Sequence, residues 1–247
     1  MNNLTSKQIK AAWFIAGTDT EIGKTLIASA MLHALTKTGV RSAGMKPVAA
    51  GAVLRDGVWH NDDADILAAE ASVTLPQELT TPFLLQQPTA PHIAAAQENR
   101  TIEVAHILSC YRQLAEQADA LVVEGVGGFR VPLNEREDTA DLAQQLALPV
   151  VLVVGLRLGC INHAMLTVEA IAARGLRLAG WVANTADPHM LNGDANIAAL
   201  SNRIQAPLLG YVPRMDALPA KALTAAAASH LNFSSLPGWP EPLGNRS

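Results

Sequence analysis

Short apolar runs recur along the chain, each followed by glycine or polar turn residues and then by a longer stretch with apolar positions at helical spacing. The runs are AAWFIAG (11–17), RSAGMKPVAA (41–50), ALVVEG (120–125), PVVLVVG (149–155), LAGWVANT (178–185) and APLLGYVP (206–213). Their apolar residues do not alternate with polar ones, which predicts strands covered on both faces, as in a parallel sheet. Candidate helices lie between them, at about 24–38, 62–71, 101–117, 139–147, 161–174 and 194–204. Strands alternating with helices predict a doubly wound, mostly parallel α/β sheet. Ligands of such sheets bind beyond the carboxyl ends of the strands. The stretches to inspect are therefore Gly17–Thr25, Lys46–Gly51, Glu124–Gly128, Gly155–His163, Asn184–Thr185 and Pro213–Met215.

At 247 residues the chain can fill one substantial core. A single domain is expected over 1–233, with the Ser-, Pro- and Gly-rich end SSLPGWPEPLGNRS (234–247) as a loosely held tail. The 18 basic and 22 acidic residues, a formal net charge of -4, lack the basic excess that favours binding nucleic acid. No apolar run reaches the roughly 18 to 20 residues of a membrane span, and Met1 to Lys10 is too polar for a secretory signal. A cytoplasmic protein without membrane or nucleic-acid partners is expected. Its two cysteines, Cys110 and Cys160, then read as reduced thiols.

GTDTEIGKTLIASAML (17–32) is a glycine- and threonine-rich turn that follows a strand and opens a helix, the context of a phosphate-binding loop. Backbone N–H groups of Thr20, Glu21, Ile22, Gly23 and the helix start through Leu26 would face an anion. Lys24 would reach the β- and γ-phosphates, and the Thr25 hydroxyl would ligate magnesium. Five residues separate Gly17 from Gly23, one more than in the common pattern.

Magnesium prefers oxygen ligands, usually one or two carboxylates with phosphate oxygens and water. Glu124 ends an apolar strand, where an acid is costly unless a cation or donor meets it. In HNDDADI the second candidate is Asp62, Asp63 or Asp65, among which sequence does not choose, and Asn61, Asp62 or Asp63 could equally cap the following helix. Gly125, Val126, Gly127 and Gly128 form a turn that lets backbone approach a ligand. Lys46, in GMKPVAAG, places a cation at the end of another strand. It is either an edge charge or a group that orients a second anion against the γ-phosphate.

GTDTEIGKT, KPVAAG, NDDA, PTAPHIAAAQE, VVEGVGGFRVPL, GLRLGCINHAMLT and LAGWVAN resemble the dethiobiotin synthetase family in order and spacing, across about residues 13 to 215. The long loop is a trait of that family, and GCINHA is far more diagnostic of it than any Gly-Lys-Thr. The resemblance implies a P-loop NTPase-like fold and an ATP- and Mg2+-dependent ligase of biotin biosynthesis. It would join CO2 to 7,8-diaminononanoate through a carbamate and a carbamic–phosphoric anhydride. It implies Lys24 and Lys46 as the catalytic lysines, and Thr25, Asp63 and Glu124 as the metal site. Gly159, Cys160, Ile161 and Asn162 would receive the substrate carboxylate across a homodimer interface. Asn184 would read the adenine, beside Thr185, Pro213, Arg214 and Met215. Lys46, Ala50 and Gly127 would line the substrate. Family members usually carry serine or threonine where this chain has Ala50, which implies weaker or altered substrate binding. Two other readings are a related ATP-dependent ligase with a different substrate and a nucleotide-switched ATPase like the septum-site proteins. The latter carry an extra lysine where this loop has Asp19. A membrane-binding terminal helix is likewise at odds with Pro237, Pro240 and Pro242.

Overall fold

The computed structural model describes residues 11–215 and 218–241. Its elements are β1 (Ala11–Gly17), α1 (Lys24–Lys37), β2 (Ser42–Met45), β3 (Val48–Ala50), β4 (Val53–Arg55), β5 (Val58–His60), α2 (Asp62–Glu70), α3 (Gln77–Thr80), β6 (Phe83–Leu85) and α4 (Pro91–Gln97). There follow α5 (Val104–Gln117), β7 (Ala120–Glu124), α6 (Thr139–Leu146), β8 (Val150–Leu156), α7 (Cys160–Ala173), β9 (Leu178–Thr185), α8 (Gly193–Ser201), β10 (Leu208–Val212) and α9 (Ala220–Ser229).

Six parallel strands form the central sheet in the order β10-β9-β8-β1-β7-β2. The order reverses at β1, which pairs with β7 on one side and β8 on the other. Its carboxyl end therefore opens into the crevice where ligands of doubly wound sheets collect. Successive β1 residues serve opposite faces. Trp13 and Ile15 pack with Ile27, Met31 and Leu35 of α1, while Phe14 packs in the layer of Ile107 and Leu114 of α5 and Leu142 of α6. Both faces are covered, so all seven residues of β1 are buried and the sequence shows a continuous apolar run. Each fully buried large side chain contributes roughly 1.5–3 kcal/mol.

The run at 41–50 is not one strand. β2 ends at Met45 and stays in the main sheet, whereas β3 pairs with β6 in a separate parallel two-stranded sheet. Pro47 stands between them and has no N–H for a ladder. Lys46 thus occupies a kink, its backbone N–H donating to Thr80 O at 2.8 Å.

Structure also forms where the helical and strand periodicity predicts none. β4 and β5 make an antiparallel hairpin around Asp56 (φ 50°) and Gly57 (φ 80°), and α4 and α9 are helical. The first described turn of α5 is at Val104, three residues later than the periodicity suggests. In the expected tail, Leu236 is buried and Trp239 packs on Trp13, with ring centroids 5.4 Å apart, and on Phe233 at 4.9 Å. Residues 234–241 therefore include a packed hydrophobic contact, while 242–247 and 1–10 lie outside the described residues.

Candidate active site

The loop from Gly17 to Gly23 is shaped by close approaches. A Cβ on Gly17 would lie 2.8 Å from Lys24 Cδ, so the glycine makes room for the lysine stem that folds back along the loop. Lys24 is buried and its Nζ donates to Asp19 O at 2.7 Å. Glu21 (φ 57°) and Gly23 (φ 87°) take the left-handed conformation, and Gly23 caps α1 without a side-chain cap hydrogen bond. The first-turn N–H groups and the positive end of the helix dipole are thus left for an anion.

Neighbouring strands hold the loop from below. Ile22 is buried against Gly155, where a Cβ would come within 2.3 Å of Ile22 Cγ2. Buried Asn184, at the end of β9, donates from Nδ2 to Ile22 O at 2.8 Å. The same nitrogen would stand 2.3 Å from a Cβ on Gly23, so loop and asparagine fit only with glycine there. Arg157, after β8, forms an ion pair with Asp19.

Four charged or polar groups meet beside the loop. Thr25 Oγ1 donates to Glu124 Oε1 at 2.8 Å, and Lys46 Nζ donates to that same oxygen at 2.5 Å and to Asp63 Oδ2 at 3.0 Å. Glu124 is fully buried, Lys46 is 4% exposed, and the Asp63 side chain is 44% exposed. Desolvating such charges takes several kcal/mol per ion, which their mutual attraction must offset. Burial pushes the Lys46 pKa down, but Glu124 and Asp63 outweigh it and hold it above the ordinary lysine value. For Asp63, burial raises the pKa, while the Lys46 charge, hydrogen bonds from Thr25 and Lys46 and the Lys24 charge bring it below the usual carboxylate value. Lys24 is pushed down to about 8 by burial and then by Lys46, against the opposing pull of Glu124, Asp63 and Asp19.

Glu124 Oε2 is buried and has no hydrogen-bond partner among the described residues. That free acceptor, with the Asp63 carboxylate and the Thr25 hydroxyl, fits a hard divalent cation that completes its shell with phosphate oxygens and water. No cluster of three or more His, Cys, Asp or Glu capable of holding a metal alone occurs among the described residues.

A cavity of about 800 Å3 unites Thr20, Glu21, Gly23, Lys24, Thr25, Lys46, Ala50, Asp63, Glu124, Val126 and Gly127. Gly127 (φ 63°) turns the chain so tightly that a Cβ would meet Val131 Cγ2 at 2.9 Å. Ile22, Leu26 and Gly125 do not line it, and the Gly125 N–H donates to Ile15 O at 3.0 Å. Pro88 to Pro91 also line the cavity, a segment to which the sequence assigns no role beyond resemblance.

Gly159, Cys160, Ile161, Asn162, Asn184, Thr185, Pro213, Arg214 and Met215 do not line this cavity. Gly159 (φ 93°) opens α7 without a side-chain cap bond, Asn162 is exposed, and Cys160 is buried, its thiol free like that of Cys110. Thr185 Oγ1 donates to Tyr211 Oη at 3.1 Å, and Met215 packs on the α1 side of the core. Sequence reasoning treats Asn61 only as a possible cap, yet its side chain also reaches Ala50 O in the cavity wall.

The fold has distant counterparts. The MinC:MinD cell division protein complex of Aquifex aeolicus aligns with TM-score 0.53 at 15% identity, covering 88% of this chain and 86% of that one. A ParA family ATPase from Chlorobium tepidum gives TM-score 0.53 at 15% identity and 90% coverage of both chains. These likenesses show the P-loop NTPase-like fold. The AAA domain family model matches residues 11–222, and the chain belongs to that family. Closer relatives narrow the class. The ATP-dependent dethiobiotin synthetase BioD of Janthinobacterium sp. (strain Marseille) is 60% identical over 232 residues, covering 92% of this chain and 97% of the relative. The protein of the same name from Aromatoleum aromaticum is 59% identical over 204 residues, covering 83% and 91%. Within the AAA domain class, this chain belongs to the ATP-dependent dethiobiotin synthetase family.

Proposed function

We propose that this protein carboxylates 7,8-diaminononanoate with CO2 and closes the product to dethiobiotin, converting ATP to ADP and phosphate. The observation that carries the reading is a second buried ammonium, Lys46, lining the same cavity as the phosphate-loop lysine Lys24. A switch needs the loop and a metal. A transfer reaction also needs a cation that holds an acceptor anion against the γ-phosphate.

In this reading one substrate amine adds to CO2, forming a C–N bond and losing a proton to solvent. Lys46 holds the carbamate at the Ala50 and Gly127 wall. A carbamate oxygen attacks the γ-phosphorus and the bond to ADP breaks, with Lys24 and the first-turn amides of α1 carrying the charge. The neighbouring amine then attacks the activated carbonyl, forms the second C–N bond, loses a proton to solvent and expels phosphate. Ring closure is intramolecular, so its effective concentration is high. Thr25, Asp63 and Glu124 would hold Mg2+, which would neutralise phosphate charge when bound with the nucleotide.

Thr20 to Leu26 and Gly125 to Gly127 cradle the nucleotide, and Asn184, Thr185, Pro213, Arg214 and Met215 take its base. Gly159 to Asn162 lie outside the cavity of their own chain. That position supports their serving the substrate carboxylate of a second copy, in a homodimer of two symmetric sites. No described helix is long and apolar enough to cross a membrane, and a cytoplasmic setting belongs to the same reading.

The test supplies purified protein with Mg-ATP, bicarbonate and 7,8-diaminononanoate, omitting each in turn, and follows dethiobiotin by mass spectrometry. Product only in the complete mixture is expected. Tight ATP binding without ring formation in any mixture would overturn the reading in favour of a switch or a different substrate.

A further inference from the structure

We propose that Asn61 is a positioning residue that locks the substrate wall of the cavity to the element carrying Asp63, an inference that rests on the ligase reading above. The chain leaves the site after Ala50 and returns at Asn61, having made the ten-residue excursion 51–60. Ala50 lines the cavity before the excursion, and Asp63 lines it just after. Across this neck Asn61 Nδ2 donates to Ala50 O at 3.1 Å.

The two ends of the Asn61 amide do different work. Its Oδ1 accepts from Ala64 N at 3.3 Å and caps α2, the element that presents Asp63 to Lys46. Its NH2 closes the neck. The β4–β5 pairing, which ends with Val53 opposite His60, also draws the two ends of the excursion together, but it does not engage Ala50 O, which Asn61 holds. The pairs of Arg55 with Asp62 at 2.6 Å and of His60 with Asp65 at 3.1 Å fasten the hairpin to α2 without touching Ala50. Ala52 N donates to Leu85 O at 2.9 Å, beyond Gly51.

Gly51 itself has φ 83°, a left-handed position where glycine offers no steric resistance to rotation. The Ala50 carbonyl therefore has Asn61 as the group that fixes its direction, and the planar trans peptide fixes the Gly51 N–H opposite to it. Ala50 has no polar side chain, so its backbone orientation is what this wall presents to a ligand.

Serine separates the two tasks, because its hydroxyl caps a helix well but is too short to replace the neck amide. In Asn61→Ser, melting temperature and the KM for ATP are expected to stay at wild-type values. The KM for 7,8-diaminononanoate is expected to rise about 3- to 10-fold, the worth of one hydrogen bond. Asn61→Ala, which loses both contacts, is expected to show the same KM rise and a lower melting temperature as well. Amide hydrogen exchange in the segment 50–60 is expected to accelerate in Asn61→Ser while the Ala64 amide stays protected.

Wild-type KM together with wild-type exchange in Asn61→Ser would overturn the proposal and leave Asn61 a helix cap. An equal loss of ATP and diamine binding with a fallen melting temperature would also overturn it. Wild-type protein that forms no dethiobiotin counts against the reaction, whereas the exchange of 50–60 decides the neck independently of turnover.

Discussion

Lys46 and Glu124 meet at the carboxyl edge of the sheet, Nζ 2.5 Å from Oε1. The contact follows from register. Met45 and Val123 are partners in the parallel pairing of β2 with β7, so the next residue of each strand emerges side by side. An acid and a base that would each be costly alone are thereby brought together by backbone pairing.

Glu124→Ala is expected to destabilise the protein by about 3–5 kcal/mol, because it leaves a buried ammonium without its partner. Glu124→Gln keeps an acceptor for Thr25 and Lys46 and should fall well short of that loss. It still removes the carboxylate charge available to the metal, so turnover should require more Mg2+. Urea melts and Mg2+ titrations of activity check both. Equal stability losses in the two variants would contradict the argument.

The lowered pKa of Lys24, about 8, gives a pH signature. In the unliganded protein this group is neutral above about 8 but stays charged in the unfolded chain up to its ordinary 10.5. The unfolded state then binds more protons, so the contribution of Lys24 to stability rises between those values and is flat below them. Phosphates favour the charged lysine, so ATP binding near pH 8.5 should take up protons. Calorimetry in buffers of different ionisation enthalpy detects the uptake, and heats independent of buffer would contradict it.

Asn184→Ala removes the donor that holds Ile22 O, and an unsatisfied buried carbonyl costs about 1–3 kcal/mol. ATP affinity should fall, and the preference for ATP over GTP should narrow. Gly23→Ala should impair ATP binding more severely, since its Cβ would meet the Asn184 amide in a left-handed backbone. Competitive nucleotide binding measures both effects. Unchanged selectivity in Asn184→Ala would separate this residue from the base.

Ala50→Ser places a hydroxyl on the wall of the cavity that Lys46 also lines. One added hydrogen bond to the carbamate would lower the KM for the diamine by about 2- to 10-fold with little effect on ATP. A steady-state comparison of the two substrates tests this, and a rise in the diamine KM would contradict it.

Much of this site is legible in the chain because strand ends carry it. Apolar runs without alternation announce a sheet buried on both faces, and Gly17, Gly23 and Lys24 announce the loop. Glu124 is visible as an acid ending an apolar run. The choice of Asp63 among three aspartates is not visible in residue type, and rests on which face of α2 meets Lys46. The break at Lys46–Pro47 was hidden because both of its sides are apolar. The Asp56-Gly57 pair carries the usual hairpin signal, but Val53–Arg55 and Val58–His60 are too short for periodicity to register. Asn61 escaped because its second contact, to Ala50 O, is a property of the fold, whereas its cap position is a property of the sequence.

The most direct measurement uses 18O-labelled bicarbonate with Mg-ATP, 7,8-diaminononanoate and the wild-type protein in unlabelled water. Attack of a carbamate oxygen on the γ-phosphorus should deliver one 18O to phosphate for each ring formed, leaving one in the ureido carbonyl. Labelled dethiobiotin accompanied by unlabelled phosphate would contradict the transfer, because ATP would then have been cleaved by water apart from ring closure.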